Sequence, residues 1–321
     1  MTRIRRWITT RWLKFSTDPA PNCSALQPRF ESICQYDVGH HAYYRNQKDH
    51  AVTDIEIVRP DFARGRFRFV LFDFDGTLSL IREGWPQVMI PMMVEVLRAT
   101  GTSEDDITLT THVEDFVMRL NGRQTIYQMM QLAEEVQKRG AKPLEPLTYK
   151  HEYHNRLMKR IQGRLDGLAS AQAKPDDWTV PGSHAMLARL KERGLTLYLA
   201  SGTDVAFVRH EVGLLGLAPF FGELIYGALD DYQNFSKRMI IERILNENNL
   251  RGDELLGFGD GFVEIEEVKR VGGVAVAVAS DEVNRQGIHA WKRDRLVNAG
   301  ADLVIGDYRH VDWLIEYLFG K

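Results

Sequence analysis

The stretch Phe69 to Ser79, FVLFDFDGTLS, sets two carboxylates, Asp73 and Asp75, one residue apart at the end of an apolar run. Phe67, Phe69, Val70, Leu71 and Phe72 make that run apolar on both faces, which suits a central strand of a parallel sheet covered above and below by helices. The carboxyl ends of such strands are where open α/β sheets bind ligands. Two adjacent anions there repel, so one takes up a proton or a cation sits between them. Gly76 then lets the backbone turn tightly and come close to whatever is bound.

Outward from this strand the patterns separate into two kinds. Between Pro86 and Ala173 the sequence reads as nearly pure helix. Apolar residues recur at three and four spacing in QVMIPMMVEVLRA, THVEDFVMRL, TIYQMMQLAEEV and YHNRLMKRIQGRL, with breaks at GTSEDD, NGR and RGAKPLEP. Beyond it helix and strand alternate. The helix SHAMLARLKERG leads to the strand LTLYLA, and DVAFVRHEVGL leads to ELIYGA. SKRMIIERILNENN leads to ELLGFGD, and VEIEEVKRVGG leads to VAVAVAS. Such alternation implies parallel strands joined by crossovers. The expected fold is α/β: a doubly wound, Rossmann-like parallel sheet with an all-helical domain inserted after its first strand. Residues 66–84 and 178–321 make the core, and 85–177 make a helical cap. Because the insert leaves the sheet at its carboxyl edge, it is placed as a lid over the acidic pair.

The 321 residues suffice for one large domain and a smaller one. The formal net charge of −3 gives no reason to expect nucleic acid or an anionic membrane as the main partner. Only Cys23 and Cys34 are present, in no CxxC motif, which fits a reducing, cytoplasmic compartment without a disulfide framework. No apolar run approaches the length of a membrane span, so stable membrane insertion is not expected.

Residues 1–65 read as an extension, partly disordered. Met1 to Thr17 carries Arg3, Arg5, Arg6, Arg11 and Lys14 and no acidic residue, and Ile4, Trp7, Ile8, Trp12 and Phe15 fall at helical spacing. An amphipathic helix over 3–15 at a membrane surface fits this pattern, and a disordered tail is the plainer reading. Residues 18 to 50 show no sustained period. AVTDIEIV, before Pro60, alternates weakly and suits a short strand.

Three further strand ends and helix starts carry polar groups suited to one reaction. Ser201, Gly202 and Thr203 offer a hydroxyl and open backbone N–H groups that can hold an oxyanion. Lys237 lies in the first turn of a helix, where a cation and the helix terminus together attract an anion. Asp260 ends a strand, with Glu264 four residues on. Hard oxygen ligands around a phosphate are what magnesium requires.

These four segments, in this order, closely resemble the haloacid dehalogenase superfamily of aspartate-nucleophile phosphotransferases. DFDGT matches its first motif, Ser201 the second, Lys237 the third and GDGFVE the fourth. The resemblance runs from about Arg66 to the end. The helical insert resembles the cap of the phosphoglycolate phosphatase and β-phosphoglucomutase branch. The resemblance implies that Asp73 attacks phosphorus to form an aspartyl-phosphate, and that Asp75 protonates the leaving oxygen and then activates water. It implies that Mg2+ is held by Asp73, the Asp75 backbone carbonyl, Asp260 and Glu264, the last replacing the family's usual Asp. Gly76, Ser201, Gly202 and Lys237 would hold the phosphoryl oxygens, and Thr77 would brace the loop. Dehalogenases lack the Asp two residues after the nucleophile, so Asp75 points to phosphate esters. The implied function is magnesium-dependent hydrolysis of a small phosphorylated metabolite, a sugar phosphate or a phosphoglycolate-like compound. A sugar phosphomutase of the β-phosphoglucomutase type is the rival within the fold. A non-catalytic binding protein with this fold is the rival of another class, and the intact set of Asp73, Asp75, Lys237 and Asp260 argues against it.

For specificity the candidates are Arg82 and Glu83, just past the first motif, and Arg123 in the loop LNGRQ, since Arg can grip a second anionic or hydroxylated group. As surface residues all three would be unremarkable. His151 and His154 stand three apart on a helix and have no evident carboxylate or thiolate partner, so a solvated face is favoured over a metal site. Met89, Met92, Met93, Met129 and Met130 are expected to pack the insert.

Overall fold

The computed structural model describes residues 54–231 and 236–320. The amphipathic helix over 3–15, the loop over 18–50 and both cysteines lie outside the described residues. The fold is built on a seven-stranded sheet of order β1-β7-β6-β5-β2-β3-β4. Its strands are β1 (Ile55–Ile57), β2 (Phe69–Phe72), β3 (Thr196–Asp204), β4 (Ile225–Ala228), β5 (Leu255–Gly259), β6 (Val274–Val278) and β7 (Leu303–Ile305). The pairings from β7 across to β4 are all parallel, as the crossover pattern requires.

β1 corrects one expectation. Residues 55–57 pair antiparallel with β7, Glu56 opposite Val304, so the sheet begins upstream of Arg66, within the stretch assigned to the extension. The weak alternation of this segment has a physical reason: an edge strand is covered less, and all three of its residues are only half-buried.

Alternate residues of the central strands enter two separate cores. Val70 and Phe72 join Leu197, Leu199, Leu256 and Phe258 on one side, where α5 (Ser183–Glu192), α6 (Val205–Leu214), α7 (Ala218–Phe221) and α11 (Val311–Phe319) pack. Phe69 and Leu71 join Tyr198, Leu255 and Ala275 on the other, against α8 (Lys237–Asn248), α9 (Phe262–Arg270) and α10 (Ala290–Asn298). β2 is buried at every position, which is why its sequence shows no alternation.

Between β2 and β3 the chain forms α1 (Pro86–Arg98), α2 (Asp106–Leu120), α3 (Thr125–Lys138) and α4 (Pro146–Ala169). Asp105 starts α2 by accepting a hydrogen bond from the Thr108 N–H, and proline opens α1 and α4. Met89, Met92, Met93 and Met129 are buried in the interior of this insert. No helix among the described residues is long and apolar enough to cross a membrane.

Candidate active site

β2 lies between β3 and β5 in the middle of the sheet, so the residues that end these three strands converge. Asp73 leaves β2 with its N–H donating to the Phe258 carbonyl of β5 at 2.9 Å. The next residues close a tight loop: the Leu78 and Ser79 N–H groups both donate to the Phe74 carbonyl, and the Gly76 N–H donates to the Ser79 carbonyl. Gly76 has φ +74°, and a Cβ there would collide with the Asp260 carboxylate. Only glycine meets both demands. The Ser280 hydroxyl fixes the loop from the far side by donating to the Gly76 carbonyl at 2.7 Å.

Three carboxylates, Asp73, Asp260 and Glu264, bring oxygens within 4.8 Å of one another. Lys237, at the first position of α8, sets its ammonium 2.9 Å from Asp73 Oδ1 and 2.8 Å from Glu264 Oε2. The other Glu264 oxygen accepts from the Gly261 N–H that opens α9. Burial pushes the Asp73 carboxyl well above the ordinary range; Lys237 opposes this, and Glu264 and Asp260 add to it. Burial likewise raises Asp260 against the pull of Lys292. Burial alone would depress the Lys237 ammonium, but Asp73 and Glu264 together hold it above its usual value. A buried donor set of three carboxylates, short of positive charge, fits a hard divalent cation.

Asp75 faces the same cavity from the opposite side of the loop. The Thr203 hydroxyl donates to Asp75 Oδ2 at 2.8 Å, with Ser201 Oγ at 3.5 Å. Arg82 Nε lies 3.7 Å from Oδ1, an oxygen that no hydrogen bond satisfies among the described residues. Burial pushes the Asp75 carboxyl up to about 6, against the counter-pull of Arg82 and Thr203. The cavity, about 110 Å³, is lined by Asp73, Asp75, Ser201, Lys237 and Asp260 from the core and by Asn121, Gly122 and Arg123 from the insert. One protonatable carboxyl thus stands beside a buried, cation-paired one, at the mouth of a site rich in anion-holding groups.

A family model described as haloacid dehalogenase-like hydrolase matches residues 67–272, more than half of the chain. The chain belongs to this family. Among curated proteins it is similar to the phosphoglycolate phosphatase of Synechococcus elongatus, 24% identical over 73% of this chain and 94% of that one. Among solved structures it resembles a predicted phosphoglycolate phosphatase from Haemophilus somnus, with a TM-score of 0.51 at 16% identity over 78% of this chain and 99% of that one. A β-phosphoglucomutase from Clostridium difficile gives 0.52 at 15% identity, over 78% and 97% of the two chains. At these identities the two structures speak for the fold.

Several sequence-derived candidates of this haloacid dehalogenase-like hydrolase stand in other surroundings than expected. Arg82 lines the cavity but is buried and paired with Glu211 of α6, with Nη2 2.6 Å from Oε1. Two long-range partners, 129 residues apart, neutralise each other beside Asp75. Glu83 pairs with Arg164 of α4 at 3.1 Å. The Thr77 hydroxyl has no hydrogen-bond partner among the described residues, and it is the Thr77 N–H, donating to the Phe74 carbonyl, that joins the loop. Gly202 lies under the insert, where a Cβ would come within 3.3 Å of the Arg123 carbonyl. Arg123 itself is exposed at the cavity rim, with its guanidinium about 6 Å from the rings of Tyr127 and Phe262. His151 is exposed, and His154 stacks on Phe207 at 3.9 Å.

One site residue takes a role the sequence reading did not give it, and three more escaped that reading. Thr203 is the main hydroxyl donor to Asp75, Glu211 balances Arg82, and Lys292 binds both Asp260 at 3.0 Å and Glu282 at 2.6 Å. Thr203 was in view as part of the strand end. The other three act only through contacts that no local spacing encodes.

Proposed function

We propose that this hydrolase is a phosphatase acting on a small phosphorylated metabolite through an aspartyl-phosphate on Asp73. The observation that carries this reading is Asp75. A carboxyl held near the middle of the pH scale, two residues from the nucleophile and open to the same cavity, is what a leaving ester oxygen needs. Asp73 attacks phosphorus as the P–O ester bond breaks, and Asp75 gives its proton to the departing alkoxide. Asp75, now ionised, takes a proton from water, whose oxygen attacks the phosphorus of the acyl phosphate. Asp73 is regenerated and inorganic phosphate leaves.

Lys237, the Ser201 hydroxyl and the Gly202 N–H hold the phosphoryl oxygens as charge spreads over them, while the Gly76 N–H, which donates to the Ser79 carbonyl, shapes the loop beside them. Asp73, Asp260 and Glu264, with the Asp75 backbone carbonyl, would hold Mg2+. When bound, Mg2+ offsets the repulsion between carboxylate and phosphate. Lys237 screens the same repulsion from the protein side and opposes the rise that burial imposes on the Asp73 carboxyl. The cavity, about 110 Å³, supports a compact substrate, since pockets for larger ligands start at roughly 300 Å³. The similarity to a phosphoglycolate phosphatase supports the same class.

The test is a panel of phosphorylated two- to six-carbon metabolites, with Mg2+, read by release of inorganic phosphate. The reading requires stoichiometric phosphate from at least one of them. Conversion of β-glucose 1-phosphate to the 6-phosphate with little free phosphate would instead make the enzyme a mutase.

A further inference from the structure

Beyond its covalent crossings the insert meets the core through α4, whose His154 stacks on Phe207 of α6, and again at the loop between α2 and α3. That second seat is unusually close. A Cβ on Gly122 would lie 3.1 Å from the Gly261 Cα, and one on Gly202 would lie 3.3 Å from the Arg123 carbonyl. Backbone therefore rests on backbone at two places, one beside Asp260 and one beside Ser201. Gly122 also has φ +94°, so it is matched to this seat in conformation as well as in size.

One core side chain reaches out to hold the loop there. Arg295 of α10 donates from Nη1 to the Met118 carbonyl at 2.6 Å and from Nη2 to the carbonyls of Arg119 and Asn121 at 2.8 and 2.9 Å. These are carbonyls of the last turn of α2 and the residue that follows, where a helix end leaves acceptors short of partners, and the Met118 carbonyl also accepts from the Asn121 N–H. A cation at a helix C-terminus also meets the negative end of its dipole. The guanidinium is flanked by the rings of Phe262, at 4.6 Å, and Trp291, at 5.3 Å. Phe262 follows Gly261, so the side chain that holds α2 packs on the segment carrying Asp260.

We propose that Arg295 is a positioning residue: it holds the end of α2 so that the Asn121–Gln124 loop, with Arg123, stays seated over the Asp73–Asp75 site. The planar fork is essential to this, because one side chain must satisfy three carbonyls at once. Lysine at this position keeps the charge and loses the fork. The inference rests on the proposed function only in taking Arg123 to face the substrate.

The experiment compares the full chain with its Arg295→Met and Arg295→Lys variants by amide hydrogen exchange without substrate. Arg295→Met should speed exchange at residues 119–124 by roughly tenfold or more, with Arg295→Lys in between, while the strands Phe69–Phe72 and Leu255–Gly259 keep their protection. Unchanged exchange in the loop, or a rise spread over the whole chain, would overturn the assignment. A kinetic cycle on 2-phosphoglycolate adds a readout that general destabilisation does not move. Arg295→Met should raise KM by about tenfold with kcat within roughly twofold, and add little on an Arg123→Ala background. Additive effects would overturn it. Should the wild type hydrolyse no phosphate ester, the proposed function fails, and the exchange measurement alone decides the role of Arg295.

Discussion

The Thr203 hydroxyl donates to Asp75 Oδ2 at 2.8 Å across 128 residues of sequence. It fixes one oxygen of the carboxyl and leaves the other toward Arg82, so a proton on Asp75 in the proposed reaction would be directed rather than free to rotate. Thr203→Val keeps the shape and removes the donor. Loss of a hydrogen bond to an ionisable group is worth about 1.5–3 kcal/mol, so kcat should fall roughly tenfold to a hundredfold, while Thr203→Ser keeps most of it. Equal activity of the valine and serine variants would show that Asp75 needs no such partner.

The Arg82–Glu211 pair is structural, and its loss should appear in stability. Both side chains are buried, 8% and 1% exposed, so Arg82→Met leaves Glu211 as an uncompensated charge in the interior. Breaking a buried pair from one side costs about 3–5 kcal/mol. Urea denaturation should register that loss for Arg82→Met, and Arg82→Met with Glu211→Met should recover most of it. Stability unchanged in the single variant would contradict the pairing.

How much of this was legible beforehand follows from distance along the chain. Asp73, Asp75 and Gly76 sit on one strand end and turn, and local pattern suffices for them: a doubly buried run, two acids, then a glycine. Asp260 and Lys237 are legible for the same reason, each at the end or start of its own element. The partner of each group was not. Arg82 looks like a cavity-facing cation in sequence, and its partner Glu211, on α6, reads as one more polar residue of an amphipathic helix. Lys292 likewise stands among charged residues of an ordinary helix, and only the sheet brings it to Asp260. The short strand in AVTDIEIV was legible, but that it joins the main sheet as β1 was not, because an edge strand three residues long carries little pattern.

Arg123 offers its guanidinium at the cavity rim, whereas Arg82 and Glu83 are committed to Glu211 and Arg164. Arg123→Ala should raise KM for the metabolite substrate about tenfold to a hundredfold, the value of a charge-assisted contact. Hydrolysis of 4-nitrophenyl phosphate should change little. If both substrates suffer equally, Arg123 supports the seat of the loop and not recognition.

The pH dependence of stability carries a signature of His154. Burial, with Arg82 adding to it, pushes this imidazole down to about 4, below the unfolded value of about 6.5. The folded state therefore binds the proton more weakly than the unfolded chain does. The stability contributed by neutral His154 is complete above the unfolded value and is lost as pH falls toward the folded one. His154→Phe, which keeps the stack on Phe207, should show a smaller drop in urea midpoint between about pH 7 and about pH 5 than the wild type. An equal drop would mean that His154 is not held neutral.

Asp73, Asp260 and Glu264 crowd within 4.8 Å, with the Lys237 ammonium on Asp73 and Glu264 and that of Lys292 on Asp260. A divalent cation that binds only the folded chain stabilises it by mass action. Mg2+ should accordingly raise the melting temperature of the wild type and leave that of Asp260→Asn nearly unmoved. A shift of the same size in both would place the cation elsewhere.

In the proposed reaction the phosphoryl group passes through Asp73. The most direct measurement is a rapid acid quench during turnover of the best substrate from the panel, followed by mass spectrometry of the peptide that contains Phe69 to Ser79. One added phosphoryl group is expected on Asp73 in the wild type, longer-lived in Asp75→Asn, and absent together with all turnover in Asp73→Asn. Turnover that persists in Asp73→Asn, or a phosphoryl group on any other residue, would contradict it.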